Sequence, residues 1–102
     1  MNRTLLTIVL IGSLGAVGTA RAAGDVQAGK AKATTLCVGC HGVNGEGVAP
    51  NPPLKGKTED QVAQALKDYK TGKRDNAVMK GIVIPLNDQD VANLASFYAT
   101  QK

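Results

Sequence analysis

Cys37-Val38-Gly39-Cys40-His41 decides how the rest of the chain is read. It holds both cysteines of the 102-residue sequence and its single histidine. Any site that needs sulfur or imidazole ligands therefore has almost no choice elsewhere. Four chemistries use this spacing. A thioredoxin-type redox pair belongs to a βαβ pattern, and no convincing strand is legible here. A structural zinc site takes four ligands, and Cys37, Cys40 and His41 are only three. A disulfide between the two cysteines would close a very small loop and constrain the unfolded chain little. In an exported protein, C-x-x-C-H is the attachment signature of a covalent haem. Two thiols add to the two haem vinyl groups as thioethers, and the adjacent His brings its imidazole to the iron.

Upstream of the motif, the chain reads as exported. Arg3 is followed by an uncharged, mostly apolar run from Leu5 to Val17, and then by small residues ending in Ala20-Arg21-Ala22. Basic start, apolar middle and small residues before the cut are the plan of a secretory signal. Spanning a bilayer takes about 20 apolar residues; this run is shorter and is broken by Gly12, Ser13 and Gly15. The pattern predicts a signal peptide over 1–22, a working domain over 23–102 and a periplasmic location. No Cys lies at the cleavage site, so lipid attachment there is not supported. After cleavage, stable membrane insertion is not expected.

Cleavage takes 22 of the 102 residues, leaving 80, and removes Arg3 and Arg21, so the formal charge falls from +4 to +2. Nothing in that balance suggests a nucleic-acid partner. With 43% hydrophobic and 20% charged residues the chain is not disordered. A core of this size supplies only about 3–5 kcal/mol without a staple. Tyr69, Phe97 and Tyr98 are its whole aromatic complement, so something other than protein is expected to complete the core.

Downstream and upstream, periodicity gives an all-α chain of about four helices. The first runs from an N-cap at Asp25 to about Leu36, with Gly29 and Ala33 on one smooth face. Cys37 to Gly56 is dense in Gly and Pro and reads as a long loop. Thr58 and Gln61 form a capping box for a helix carrying Val62, Ala65, Leu66 and Tyr69 on one face and ending at Gly72. A shorter segment follows from Asn76 to Ile82. Asn87 caps the last helix, with Val91, Leu94, Ala95 and Tyr98 as its apolar stripe and Phe97 at the edge. The small stripe at Gly29 and Ala33 is expected to cross the bulky one at Leu94 and Phe97.

Haem iron in proteins takes His, Cys, Met or Tyr. Once the leader is gone, Met79 is the sole Met and lies 38 residues beyond His41. It is the favoured sixth ligand; an open sixth position is the alternative.

The order of these features resembles the class I cytochromes c, in particular the short bacterial monohaem kind, which is also similar to each half of the dihaem forms. The resemblance rests on the Gly29 helix leading into Cys37–Gly42, on Asn44-Gly45, on Pro52-Pro53-Leu54-Lys55-Gly56, on Lys73–Met79 and on Leu86–Tyr98. It implies a small cytochrome c fold around one covalent haem c, with crossed first and last helices. It also implies His41 and Met79 as axial ligands, and a carbonyl of Pro52 that accepts the imidazole proton.

A six-coordinate iron exchanges one electron and has no place for a substrate. The sequence therefore predicts a soluble periplasmic one-electron carrier of a respiratory chain, not an enzyme, with redox proteins as donor and acceptor. Two alternatives stay open: the haem subunit of a larger oxidoreductase, and a five-coordinate gas-binding or peroxidatic protein. Lys55, Lys57, Lys73, Arg74 and Lys80 lie near the haem-side segments and are candidates for steering an acidic partner.

Overall fold

Asp25 starts the first helix. Its carboxylate accepts from Gln27 N and Ala28 N at 2.8 and 3.0 Å, which satisfies two of the free donors of a helix start. Helix α1 then runs Val26–Leu36. The computed structural model describes residues 24–102; the leader expected at residues 1–22 lies outside them. Four more helices follow: α2 (Val38–His41), α3 (Glu59–Thr71), α4 (Ala77–Val83) and α5 (Asp88–Ala99). Among the described residues there is no strand, only an isolated antiparallel bridge between Val48 and Asn51.

The caps are those legible in the sequence. Thr58 and Gln61 form the capping box of α3, and Gly72 ends it with φ 84°. Asn87 and Asp90 do the same for α5. One element is additional to the four segments read from the sequence. The first turn of the expected loop is helical, because the backbone of Cys37 stays near the α region (φ −112°, ψ −38°). Cys37 N donates to Ala33 O at 2.8 Å and His41 N donates to Cys37 O at 2.9 Å, so α1 ends and α2 begins on the same residue.

The core is the face of α5. Val91, Leu94, Ala95, Phe97 and Tyr98 are all buried, together with Ala33, Val62, Val83 and Leu86. Phe97, placed at the edge of the stripe by its spacing, is fully part of it. It meets Tyr98 edge-on, with ring centroids 5.0 Å apart. Helix α5 packs on both α1 and α3, and α4 packs on α3. At the α1–α5 crossing Gly29 lies directly against the backbone carbonyl of Asn93 and the Phe97 side chain. Asp25 N donates to Asn93 Oδ1 at 2.8 Å, Lys32 pairs with Asp90 at 3.7 Å, and Ser96 Oγ donates to Glu59 at 2.8 Å.

Helix α3 behaves differently. Of its apolar face only Val62 is buried, while Ala65, Leu66 and Tyr69 stay half-exposed. Those residues look into a cavity.

Candidate functional site

Because α2 is a helical turn, Cys37, Cys40 and His41 stand at i, i+3 and i+4 and share one face. Both thiols and the imidazole line a cavity of about 690 Å³ to which all five helices contribute. Leu36 comes from α1, Val62 and Leu66 from α3, Ile82 from α4 and Leu94 from α5. Cys40 is exposed and Cys37 half-buried, and neither is in a disulfide. His41 is only 6% exposed. Among the described residues no group of three or more His, Cys, Asp and Glu side chains is gathered as a metal cage.

The loop after α2 orients the imidazole. His41 Nδ1 lies 2.8 Å from the carbonyl oxygen of Pro52. A carbonyl can only accept, so Nδ1–H donates and Nε2 is left with its lone pair. Four hydrogen bonds around it hold Pro52 at that position. Gly47 N donates to His41 O at 2.7 Å, and Asn51 Nδ2 donates to Cys40 O at 2.9 Å. Leu54 N and Lys55 N both donate to Gly45 O. Gly45 has φ 73° and a Cβ there would meet the Tyr98 ring at 2.8 Å, so no other residue fits.

Met79 lines the same cavity and is half-buried. Asn76 places it: as N-cap of α4, its Oδ1 accepts from Met79 N at 3.0 Å. Charged side chains also line the cavity, Asp68 among them. Lys57, Lys73 and Arg74 line it, with the Arg74 guanidinium 5.1 Å from the centroid of the Tyr69 ring. Lys55 and Lys80 are exposed but do not line it.

The donor set fits a haem. Two thiols and one imidazole share a face, a thioether borders the same space, and the walls are largely aliphatic. Burial pushes the Cys37 thiol above its ordinary range; the Tyr98 hydroxyl pulls it back and the neighbouring Cys40 pushes it up again. Burial likewise raises Tyr98, and the Cys37 thiol beside it adds to that shift. The Tyr98 hydroxyl is thus buried close to the Cys37 thiol, but it makes no hydrogen bond of proper geometry among the described residues.

Thus the cavity brings together the attachment and ligand candidates of the sequence, Cys37, Cys40, His41, Pro52 and Met79, and of the five basic candidates only Lys57, Lys73 and Arg74. Sequence reasoning missed three groups. Asn76 was legible as a cap, since it stands three residues before Met79. Asn51 sits in a Gly- and Pro-rich stretch with no period to read. Tyr98 belongs to the apolar stripe by spacing, and spacing says nothing of where its hydroxyl ends.

Comparison with known proteins places this geometry. The Cytochrome c family matches residues 26–102. Cytochrome c4 of Pseudomonas aeruginosa is 44% identical over 103 residues, covering 100% of this chain and 50% of that protein. Cytochrome c-554(548) of Halomonas halodenitrificans is 38% identical over 84 residues, covering 78% of this chain and 100% of that protein. The crystal structure of reduced recombinant cytochrome c4 from Pseudomonas stutzeri superposes with a TM-score of 0.71 at 37% identity, covering 78% of this chain and 47% of that one. The chain thus spans about half the length of its cytochrome c4 relatives and is similar to one half of them. With its fold, its cysteine spacing and its sequence all in agreement, the chain belongs to the cytochrome c family, whose cofactor is a covalently bound haem c.

Proposed function

We propose that the chain is a one-electron carrier that works in the periplasm, in a respiratory chain, after loss of residues 1–22. In this reading Cys37 and Cys40 are the thioether attachment points, His41 and Met79 the axial ligands, and Pro52 the acceptor that fixes the imidazole tautomer. Haem c, when bound, supplies an Fe(III)/Fe(II) couple. The observation that carries the reading is the pair of axial candidates on one cavity. His41 keeps Nε2 free by donating Nδ1–H to Pro52 at 2.8 Å. Met79, clamped by Asn76, borders the same space.

From this the division of labour follows. The tautomer is set by a backbone carbonyl, so it does not change with the oxidation state. The thioether of Met79 is uncharged and soft, which favours Fe(II) and raises the potential. Were His41 and Met79, from separate helices, both to hold the iron, no coordination site would be left for a substrate. That favours a carrier over an enzyme, in keeping with relatives named as cytochromes. Among the described residues no helix is long and apolar enough to cross a membrane. Redox proteins are the expected partners on both sides.

Met79→Ala tests the reading. The holoprotein is expected to lose the near-infrared band of a ferric iron–thioether bond, to drop in midpoint potential and to bind small exogenous ligands. A variant that keeps the wild-type band and potential would assign the sixth position to another group. It would also reopen the five-coordinate alternative.

A further inference from the structure

Tyr98 carries a polar group that neither the helix packing nor the ligand set uses. The side chain is 1% exposed. Its ring is pinned on two sides, by Gly45, which admits no Cβ, and by the edge-on contact with Phe97. A pinned phenol has no freedom to aim its hydroxyl elsewhere. That hydroxyl is the one buried side-chain nitrogen or oxygen among the described residues without a hydrogen-bond partner. Tyr98 lines the cavity together with Cys37. A filler of this shape would be Phe, which the chain uses one residue earlier, and a buried hydroxyl with no partner costs free energy that Phe would not.

We propose that the Tyr98 hydroxyl is the hydrogen-bond donor to the Cys37 sulfur once that sulfur is a haem thioether, making Tyr98 a positioning residue for one attachment arm and the two arms inequivalent. The proposal rests on the reading of Cys37 as an attachment point. The chemistry is one-directional: a thioether has no proton and can only accept, and a phenol kept protonated by burial can donate. Cys40, by contrast, is exposed. A donor on the Cys37 sulfur draws electron density from the ring substituent and thereby favours the reduced iron.

Tyr98→Phe removes the oxygen and keeps the ring. Resonance Raman spectra of the holoprotein should show one of the two carbon–sulfur stretching bands moved and the other unchanged, with a lowered midpoint potential. In the wild type, exchange into deuterated water should move that same band, a measurement that needs no variant to fold. Carbon–sulfur bands that stay in place under both treatments overturn the proposal; a urea midpoint that rises in Tyr98→Phe would accompany that result as the mark of a hydroxyl with no partner. Failure of the underlying reading is a separate result: the pyridine haemochrome of the wild type would then show a vinyl group still unsaturated.

Discussion

Glu46 is exposed, yet the turn between the two halves of the site hangs on it. Its Oε2 accepts from Asn44 N at 2.9 Å. Its own backbone N–H and that of Asn44 hold the carboxyl below the usual range, and Lys55 adds to this. The sign follows from linkage. A carboxyl depressed in the folded state contributes above its unfolded value and loses that contribution as pH falls through the folded one. The Asn44 amide proton is therefore expected to titrate, by NMR, with a midpoint below the ordinary Glu value of about 4.3. Glu46→Gln should abolish the titration. A midpoint at or above the ordinary value would mean that the carboxylate does not brace the turn. At this scale the ligand set was legible because the chain is poor in ligands: one His, two Cys and a single Met outside the leader leave little to choose. The braces were not. Glu46 and Asn51 act on backbone groups brought near them by glycines with positive φ, and no periodicity encodes that.

Among the elements, two helical glycines make opposite forecasts. Gly29 in α1 lies against the Asn93 carbonyl, and a Cβ there would also come within 2.9 Å of Phe97 Cβ. Gly81 in α4 has nothing within 4 Å of where its Cβ would be. Intrinsic propensity favours Ala over Gly by about 1 kcal/mol in a helix interior. At Gly81 that term stands alone, so Gly81→Ala should stabilise by up to ~1 kcal/mol in urea unfolding. At Gly29 the obstacle is backbone, which cannot swing away as a side chain can. Overpacking of about 1–3 kcal/mol should outweigh the propensity gain, and Gly29→Ala should destabilise. Equal responses of the two variants would show that the crossing is loose. The four longer helices were legible from caps and spacing, because each cap is a local bargain between a side chain and the next three amides. The single turn α2 was not, because its glycine and its loop-like flanks hide a helical turn that starts on the last cap of α1. The crossing was read as Gly29 and Ala33 against Leu94 and Phe97; Gly29 does meet Phe97, but its nearest neighbour is the carbonyl of Asn93, an atom no side-chain pattern reports.

For the molecule as a whole, charge is unevenly placed. Lys57, Lys73 and Arg74 line the cavity, with Lys55 and Lys80 exposed nearby in sequence. Charges so arranged speed encounter with an acidic partner more than they tighten it. Electron exchange with an acidic redox protein is expected to slow as ionic strength rises, since screening sets in over about 8 Å at physiological salt. A bimolecular rate indifferent to salt would leave an apolar docking surface instead. The need for a non-protein core was visible in the shortage of aromatics. Its location was not, because it depends on Ala65, Leu66 and Tyr69 of α3 staying half-exposed along the cavity.

Cys37, bonded through its amide to Ala33 O and through its carbonyl to His41 N, is the one-residue joint between the crossing helix and the turn that carries the imidazole. A joint that short leaves little slack between the seat of Gly29 on α5 and the seat of the imidazole. Were the two coupled, reciprocity would require that whatever free energy the iron's oxidation state puts into the crossing, a change at the crossing returns to the iron.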